Sequence, residues 1–313
     1  MANMEIDIVY LWVNGNDPQW REKRNSFTKE NYSDEGMNSE ARYSDNGELK
    51  YSLRSIEKYA PWIRNIFIVT DNQTPEWLDL NHPKVRIVDH TEILPSEALP
   101  TFNSTVIEHA LFRIPGLSEY LIYANDDMFL NRETSPADFF APDGLPYIRF
   151  NRRLFRKLWL FIYSKILKKN ISHYNRTIQN SARLVEGKYG KYIGHKIHHN
   201  IDAYRKSDLK HAYEVFAKDI EPTLLNHTRN DNDIQRNIYS YVPAVENRGH
   251  VKFVTNKTSF RCHIEHPHQF AELEKCSPMF FCINDSQFAN EESHKLLKEF
   301  LEKKFPEKSQ FEK

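Results

Sequence analysis

Glycine is scarce in this chain. Only nine glycines occur among 313 residues, and none stands in a G-x-x-x-x-G-K-[ST], G-x-G-x-x-G or G-x-S-x-G frame. A phosphate cradled by a glycine-rich loop is therefore not expected, which sets aside P-loop kinases, dinucleotide dehydrogenases and α/β-hydrolases. Cysteine is scarcer still. Cys262, Cys276 and Cys282 are an odd, sparse set that fits a reducing compartment better than a disulfide framework. Together with His263, His266 and His268 they match no finger or ribbon spacing for zinc. No run approaches the roughly eighteen apolar residues of a membrane span, and residues 1–16 lack the basic, apolar and small-residue zones of a signal peptide. Net charge is missing too, 43 Lys plus Arg balancing 43 Asp plus Glu, so bulk electrostatics gives no reason to expect nucleic acid. These absences lead to the expectation of a cytoplasmic protein.

What is present is apolar and aromatic. Forty per cent of the residues are hydrophobic, with 20 Phe and 16 Tyr, enough for one large α/β core. Residues 6–13 (IDIVYLWV), 63–70 (IRNIFIVT), 85–89 and 120–124 read as strands. Between them, residues 48–60 carry Leu49, Leu53, Ile56 and Ala60 at helical spacing before Pro61 stops the run. Pro75 is expected to open a short helix. Thr105 and Glu108 read as a capping box for a helix burying Val106, Ile107, Ala110, Leu111 and Ile114. Alternation at this spacing predicts an α/β fold: a mostly parallel, Rossmann-like or GT-A-like sheet with helices on both faces. The second half adds predicted helices over 193–214, 231–241 and 291–305. The whole chain, 1–313, is read as a single catalytic domain in which 136–245 forms a helical insert or lid.

Acidic turns end three of the proposed strands, at Asp17, Asp71 and Asp126-Asp127. In open α/β sheets ligands sit beyond the carboxyl ends of strands, so these turns bring oxygen ligands to one edge. Asn125-Asp126-Asp127 is the type of cluster that holds Mg²⁺ or Mn²⁺ and, through it, a diphosphate; a solvated turn has the same composition. Asn284-Asp285 repeats the pattern after a second apolar run, and an Asx turn is the alternative there. His195 and His198 would share a face on a helix, as a general base and its partner do. Arg229 and Asp233, four apart, are either a helical ion pair or a guanidinium aimed at phosphate with its orienting acid.

Taken together these segments resemble the Stealth family, which includes bacterial capsular polysaccharide phosphotransferases and the catalytic part of the animal N-acetylglucosamine-1-phosphotransferase. Four blocks carry the resemblance. The first is IDIVYLWVNGND at 6–17. The second runs from Arg42 to Asp127, with RYSDNGELKYSLRSIEKYAPWIRNIFIVTDNQTPEWL, VRIVDHTEI, LPTF and YANDDMFL as its landmarks. The third, over 181–235, has SAR, HKIH and RNDNDIQ as landmarks, and the fourth is FCINDSQ at 281–287. The family often has proline between the two histidines, where this chain has Ile197, so His199 competes with His198 for the second position.

The resemblance implies transfer of a hexose-1-phosphate, such as N-acetylglucosamine-1-phosphate, from a UDP-sugar donor to a hydroxyl of an oligosaccharide or polysaccharide acceptor. It also implies the following roles. Trp12, Val13, Asn14, Gly15 and Asp17 shape the nucleotide pocket, with Arg42, Arg54, Asn125 and His198 near the diphosphate. Asp126, Asp127, Asn284 and Asp285 hold Mg²⁺ or Mn²⁺. His195 takes the acceptor proton, Arg183 and Arg229 stabilise phosphoryl oxygens, and Asp233 orients one of these groups. A metal-dependent GT-A-type glycosyltransferase, which would form a glycosidic bond and release a nucleoside diphosphate, is the competing reading. Residues 152–169 set seven basic side chains around LWLFIY, the composition of a helix docked on anionic lipid; a buried helix or a lid is the alternative.

Overall fold

β1 (Ile6–Leu11) is buried along its whole length, as befits a central strand covered on both faces. Its side chains alternate: Ile6, Ile8 and Tyr10 enter one core, Val9 and Leu11 the other. In the computed structural model, which describes residues 4–28 and 38–313, β1 pairs in parallel with β2 (Ile66–Thr70) and with β4 (Tyr120–Asn125). β3 (Val85–Asp89) extends the sheet beyond β2 in parallel, and β8 (Asp202–Arg205) closes the opposite edge antiparallel to β4. The order is therefore β3-β2-β1-β4-β8. The expected α/β architecture with a mostly parallel sheet holds.

Two smaller sheets complete the frame. β5 (Met128–Leu130) follows β4 after only Asp126 and Asp127, and runs antiparallel to β11 (Phe280–Asn284), which pairs in parallel with β10 (Ser259–His263). Met128 lies opposite Cys282, so the turn before β5 and the end of β11 meet. This register is what brings two acidic segments, 155 residues apart in sequence at Asp127 and Cys282, to one place. The third sheet has β6 (Tyr147–Asn151) between β7 (Lys196–Ile197) and β9 (His250–Phe253). The helix Glu48–Tyr59 buries Leu49, Leu53 and Ile56 beneath the main sheet. The final helix, Glu291–Lys304, packs Leu297 and Leu301 into a separate cluster with Phe129 and Phe281.

Several expectations fail for identifiable reasons. Residues 193–214 are not one helix: 196–197 and 202–205 are strands, and only Lys206–Val215 is helical. The alternation Asp202-Ala203-Tyr204 fits the open edge of β4, and tertiary pairing overrides propensity there. The helix expected at 231–241 begins at Ile238, because 230–233 is tied into a turn by Asp233. No helix forms at Pro75. Asn103, not Thr105, caps the helix Ser104–Glu108 by accepting from the Thr105 N–H at 3.1 Å. Residues 136–245 hold several helices and also supply β8 to the main sheet, and Ile178, Tyr204 and Val242 share a core with Val9 and Leu121. Among the described residues no helix is long and apolar enough to cross a membrane.

Candidate active site

Four carboxylates crowd the edge where β4 ends. Asp45 and Glu48 come from the turn preceding the helix Glu48–Tyr59; Asp126 and Asp127 form the link to β5. Gly47 makes that turn possible with φ +82°, a left-handed conformation that glycine adopts without penalty. Asp45 Oδ1 accepts from the Gly47 N–H at 2.8 Å, and Glu48 Oε2 accepts from the Asn46 N–H at 2.8 Å. Burial and the neighbouring charges of Asp127, Glu48 and Asp45 push the Asp126 carboxyl well above the usual range. Burial raises Glu48 to about 7 and Asp127 to about 6, the latter against bonds from Cys282 and Asn284. Like charges held together in a partly desolvated place are a standing demand for a cation.

Asp127 is the centre of a second set of groups. Its Oδ2 accepts from Asn284 Nδ2 at 2.8 Å and lies 3.1 Å from Cys282 Sγ. His199 Nε2 stands 3.3 Å from the same Asn284 nitrogen. Asp127, His199 and Cys282 each turn a ligand-type atom within 4.8 Å of the others. Asp127 Oδ1 is buried with no hydrogen-bond partner among the described residues, an arrangement that costs free energy unless something binds there. The carboxylates of Asp126 and Asp127 are oxygen donors that suit Mg²⁺ or Mn²⁺, whereas the Cys282 thiol is not. Burial, with Arg261 and Arg236 nearby, pulls the His199 ring down to about 3, so it is neutral in the ligand-free protein and takes up a proton only when negative charge, such as a bound diphosphate, is added beside it. Arg261 stands on β10 in register with Cys282 and also draws the Asp127 carboxyl downward.

A buried polar network fixes these groups from below. The Tyr123 hydroxyl bridges Glu108 Oε1 at 2.8 Å and Asn125 Oδ1 at 2.7 Å. Arg236 reaches Glu108 at 3.3 Å, Asp202 at 2.8 Å and the Tyr204 hydroxyl at 2.8 Å. His198 Nε2 lies 2.9 Å from Asp202 Oδ1. Thus His198 is tied inward, and the next residue, His199, is left facing the carboxylates. Apart from the buried His198 ring nitrogens, which make no well-aligned hydrogen bond, the network is paired and specifies one arrangement of the groups above it.

The neighbouring side of the edge is basic. Arg229 Nη1 donates to the Tyr43 hydroxyl at 3.0 Å, and its guanidinium carbon stands 5.4 Å from the Tyr43 ring centroid. Desolvation and the nearby Arg229 bring Arg42 down to about 10, and Arg24 stacks on the same ring at 4.8 Å. Gathered guanidinium groups of this type recognise phosphate. The loop after β1 is locked to this segment at Gly15, whose N–H donates to the Tyr43 carbonyl at 2.7 Å. A Cβ at residue 15 would meet that oxygen at 2.3 Å, so only glycine permits the approach. Gln73 clasps the loop by bonds to the Asn14 backbone and to Asp17 Oδ2 at 3.0 Å. Trp12 is buried and bonds Asp45, and Val13 packs beside Trp20 and Tyr43.

Of the residues expected from sequence, the structure brings together Trp12, Asn14, Gly15, Arg42, Asn125, Asp126, Asp127, Arg229 and Asn284. Others go elsewhere. His195 accepts from the Arg153 N–H at 3.1 Å and sits edge-on to Phe253 at 4.8 Å; three residues, two of them the strand β7, separate it from His199. Arg183 is exposed on the outer face of the helix His173–Tyr189. Asp285 has both oxygens engaged, with the Ser286 N–H at 2.6 Å, His294 at 3.0 Å and Asn46 at 3.2 Å, so it anchors the Asn46 turn. Arg229 and Asp233 are not an ion pair. Asp233 instead accepts from Asn103 at 2.9 Å and Asn226 at 2.6 Å, stapling the loop that presents Arg229. Asp17 caps the helix Pro18–Thr28, accepting from the Gln19 N–H at 2.9 Å.

Arg54 is the clearest correction. It forms a two-pronged pair with Glu312, both contacts 2.7 Å, and donates to the Phe305 carbonyl at 2.8 Å. It therefore clamps the C-terminal segment and is not a diphosphate ligand. Arg54→Ala, which leaves Glu312 buried and unpaired, is expected to cost about 3 kcal/mol in urea unfolding while leaving the KM for donor unchanged.

Asp45, Glu48, His199, Arg261 and Arg236 are the site residues that sequence reasoning missed or left open. The Asp45–Glu48 turn lay within a recognised block but read locally as a helix start. Arg261 becomes visible only once β10 is paired with β11.

Comparison with known proteins shows the family of the chain. Stealth protein conserved region 1 matches residues 4–32, conserved region 2 matches 42–148, and conserved region 4 matches 271–313. The exopolysaccharide phosphotransferase cps2G of Lactiplantibacillus plantarum is 32% identical over 99% of this chain and 96% of its own length. The capsular polysaccharide phosphotransferase WcwK of Streptococcus pneumoniae is 33% identical over 100% of both chains. The capsular polysaccharide phosphotransferase fcs1 of Haemophilus influenzae is 34% identical over 91% of this chain and 79% of its own. Among solved structures, the galactosyltransferase LgtC in complex with donor and acceptor sugar analogues aligns over 95% of both chains with 10% identity and a TM-score of 0.47. This chain belongs to the Stealth family and is an enzyme of the class that transfers phosphorus-containing groups.

Proposed function

We propose that the enzyme moves a hexose-1-phosphate from a UDP-sugar to a hydroxyl of a capsular or other extracellular polysaccharide, releasing UMP. Two groups carry this reading: Asp127, Asn284 and His199 in mutual contact, and the Arg42–Arg229 pair, of which Arg42 stands on the segment leading to Asp45, whose charge acts on Asp126. Acid, base and guanidinium groups linked in this way match a transfer in which positioning and charge stabilisation do most of the catalysis. Asp126, Asp127 and Asn284 would hold Mg²⁺ or Mn²⁺, which when bound neutralises diphosphate charge.

The acceptor oxygen attacks the phosphorus that carries the sugar. Its proton passes to His199, and the bond from that phosphorus to the bridging oxygen of the UMP half breaks. No bond to the anomeric carbon changes, so configuration there is retained. Arg229 and Arg42 hold the phosphoryl oxygens, while Trp12–Gly15 cover the nucleotide. Incubation with a panel of nucleotide-sugars and capsule-type oligosaccharides tests the reading by the nucleotide released. UMP is expected; release of UDP would transfer the enzyme to glycosidic-bond formation.

A further inference from the structure

Among the described residues, the segment after β6 holds the densest run of exposed large apolar side chains. Helical backbone runs over Arg156–Phe161 and continues as a π-helix over Ile162–Ile166. Only Arg156 and Leu160, four apart, face inward; Arg156 donates to Asn175 Oδ1 at 3.0 Å and Lys157 pairs with Glu186 at 2.5 Å, which fixes the helix to its neighbour. The other face carries Phe155, Leu158, Trp159 and Ile162, recurring at three- and four-residue spacing, and all are exposed, Phe155 by 79% and Trp159 by 50%. Leu154, Phe161, Ile166 and Leu167 are exposed as well. So many exposed large apolar side chains in one stretch mark an interaction site.

Two further observations identify the occupant. Arg152, Arg153, Lys157, Lys165, Lys168 and Lys169 are all exposed around this apolar face, and residues 152–169 contain no acidic side chain. The apolar surface also continues past the helix: Arg152 stands 5.6 Å from the ring of Phe253, and Val251 and Phe253 of β9 are each 44% exposed. They form one wall of a cavity of about 280 Å³ completed by Phe150, Ile193 and His195. A cationic rim around protruding aromatic and aliphatic side chains complements an anionic bilayer, where the apolar face enters the headgroup boundary and the amines meet lipid phosphate.

We propose that residues 152–169, with Val251 and Phe253, dock this enzyme on a membrane containing anionic phospholipid. Cosedimentation of the full chain with vesicles, without sugar substrates, tests this independently of the reaction assigned above. Binding is expected to phosphatidylcholine vesicles containing phosphatidylglycerol, to weaken with salt, and to be at least tenfold weaker to phosphatidylcholine alone. The double variant F155S/W159S and the triple variant K165E/K168E/K169E, both at exposed positions, are each expected to lose most of this binding while keeping the wild-type Tm and turnover on a soluble acceptor. Absence of binding by the wild type would overturn the proposal, as would equal binding to neutral vesicles. Self-association abolished by F155S/W159S, with no vesicle binding, would also overturn it and assign the face to a second copy of the chain.

Discussion

Asp127→Asn is expected to lower kcat by about three orders of magnitude while leaving the fold intact. The substitution keeps the shape and an oxygen that can accept from Asn284, whose amide lies 2.8 Å from the present carboxylate. What it removes is one negative charge from the group formed with Asp126, Glu48 and Asp45. That charge is unfavourable in the ligand-free protein, so the variant is expected to melt no lower than the wild type. Sites built for a charged ligand commonly trade stability for function in this way. Mg²⁺ is expected to raise the wild-type Tm by binding the native state, and to do so much less in Asp127→Asn. The pH dependence has a definite sign. Glu48 has a folded pKa of about 7 against 4.5 in the unfolded chain, so the native state keeps a proton the unfolded state has released. Stability is therefore fully present below about 4.5 and is lost as pH rises through about 7. A Tm that climbed from pH 5 to pH 8 in the ligand-free wild type would contradict this account of the cluster.

The second large effect separates two histidines. His199→Gln is expected to reduce kcat by about 100- to 1000-fold, in the range of a lost general base, with donor KM little altered. His195→Gln is expected to stay within about threefold of the wild type. The contrast follows from placement: His199 stands 3.3 Å from Asn284 and within the Asp127 cluster, whereas His195 packs on Phe253 and bonds the Arg153 backbone. Steady-state kinetics on both variants decides between them. A His195→Gln enzyme as damaged as His199→Gln would return the proton-accepting role to His195.

The parallel half of the fold was readable in advance because its signals are local. β1, β2 and β4 announce themselves as apolar runs ended by Asn or Asp, and Pro61 marks where the helix Glu48–Tyr59 must stop. Asp126-Asp127 followed from that, since a turn at the carboxyl end of a central strand is where such sheets bind ligands. The histidine register did not follow, because residues 195–205 can be read with either helical or strand spacing. Pairing of β8 against β4, a contact some 80 residues distant, chose the strand and turned His198 inward to Asp202. Asp45, Glu48 and Arg261 were hidden for a related reason: each acquires its role from a neighbour in space, and a carboxylate in a helix-starting turn has an ordinary local explanation. Arg54 shows the converse. It lies in a recognised block, yet its partner Glu312 waits at the other end of the chain.

Whether phosphorus or the anomeric carbon is attacked is the central question, and phosphorus NMR of the purified product answers it. After incubation with Mg²⁺, UDP-sugar and acceptor, the account requires a phosphodiester resonance in the product, coupled to the anomeric proton of the transferred sugar with its configuration unchanged. A product that contains the sugar but no phosphorus would contradict it.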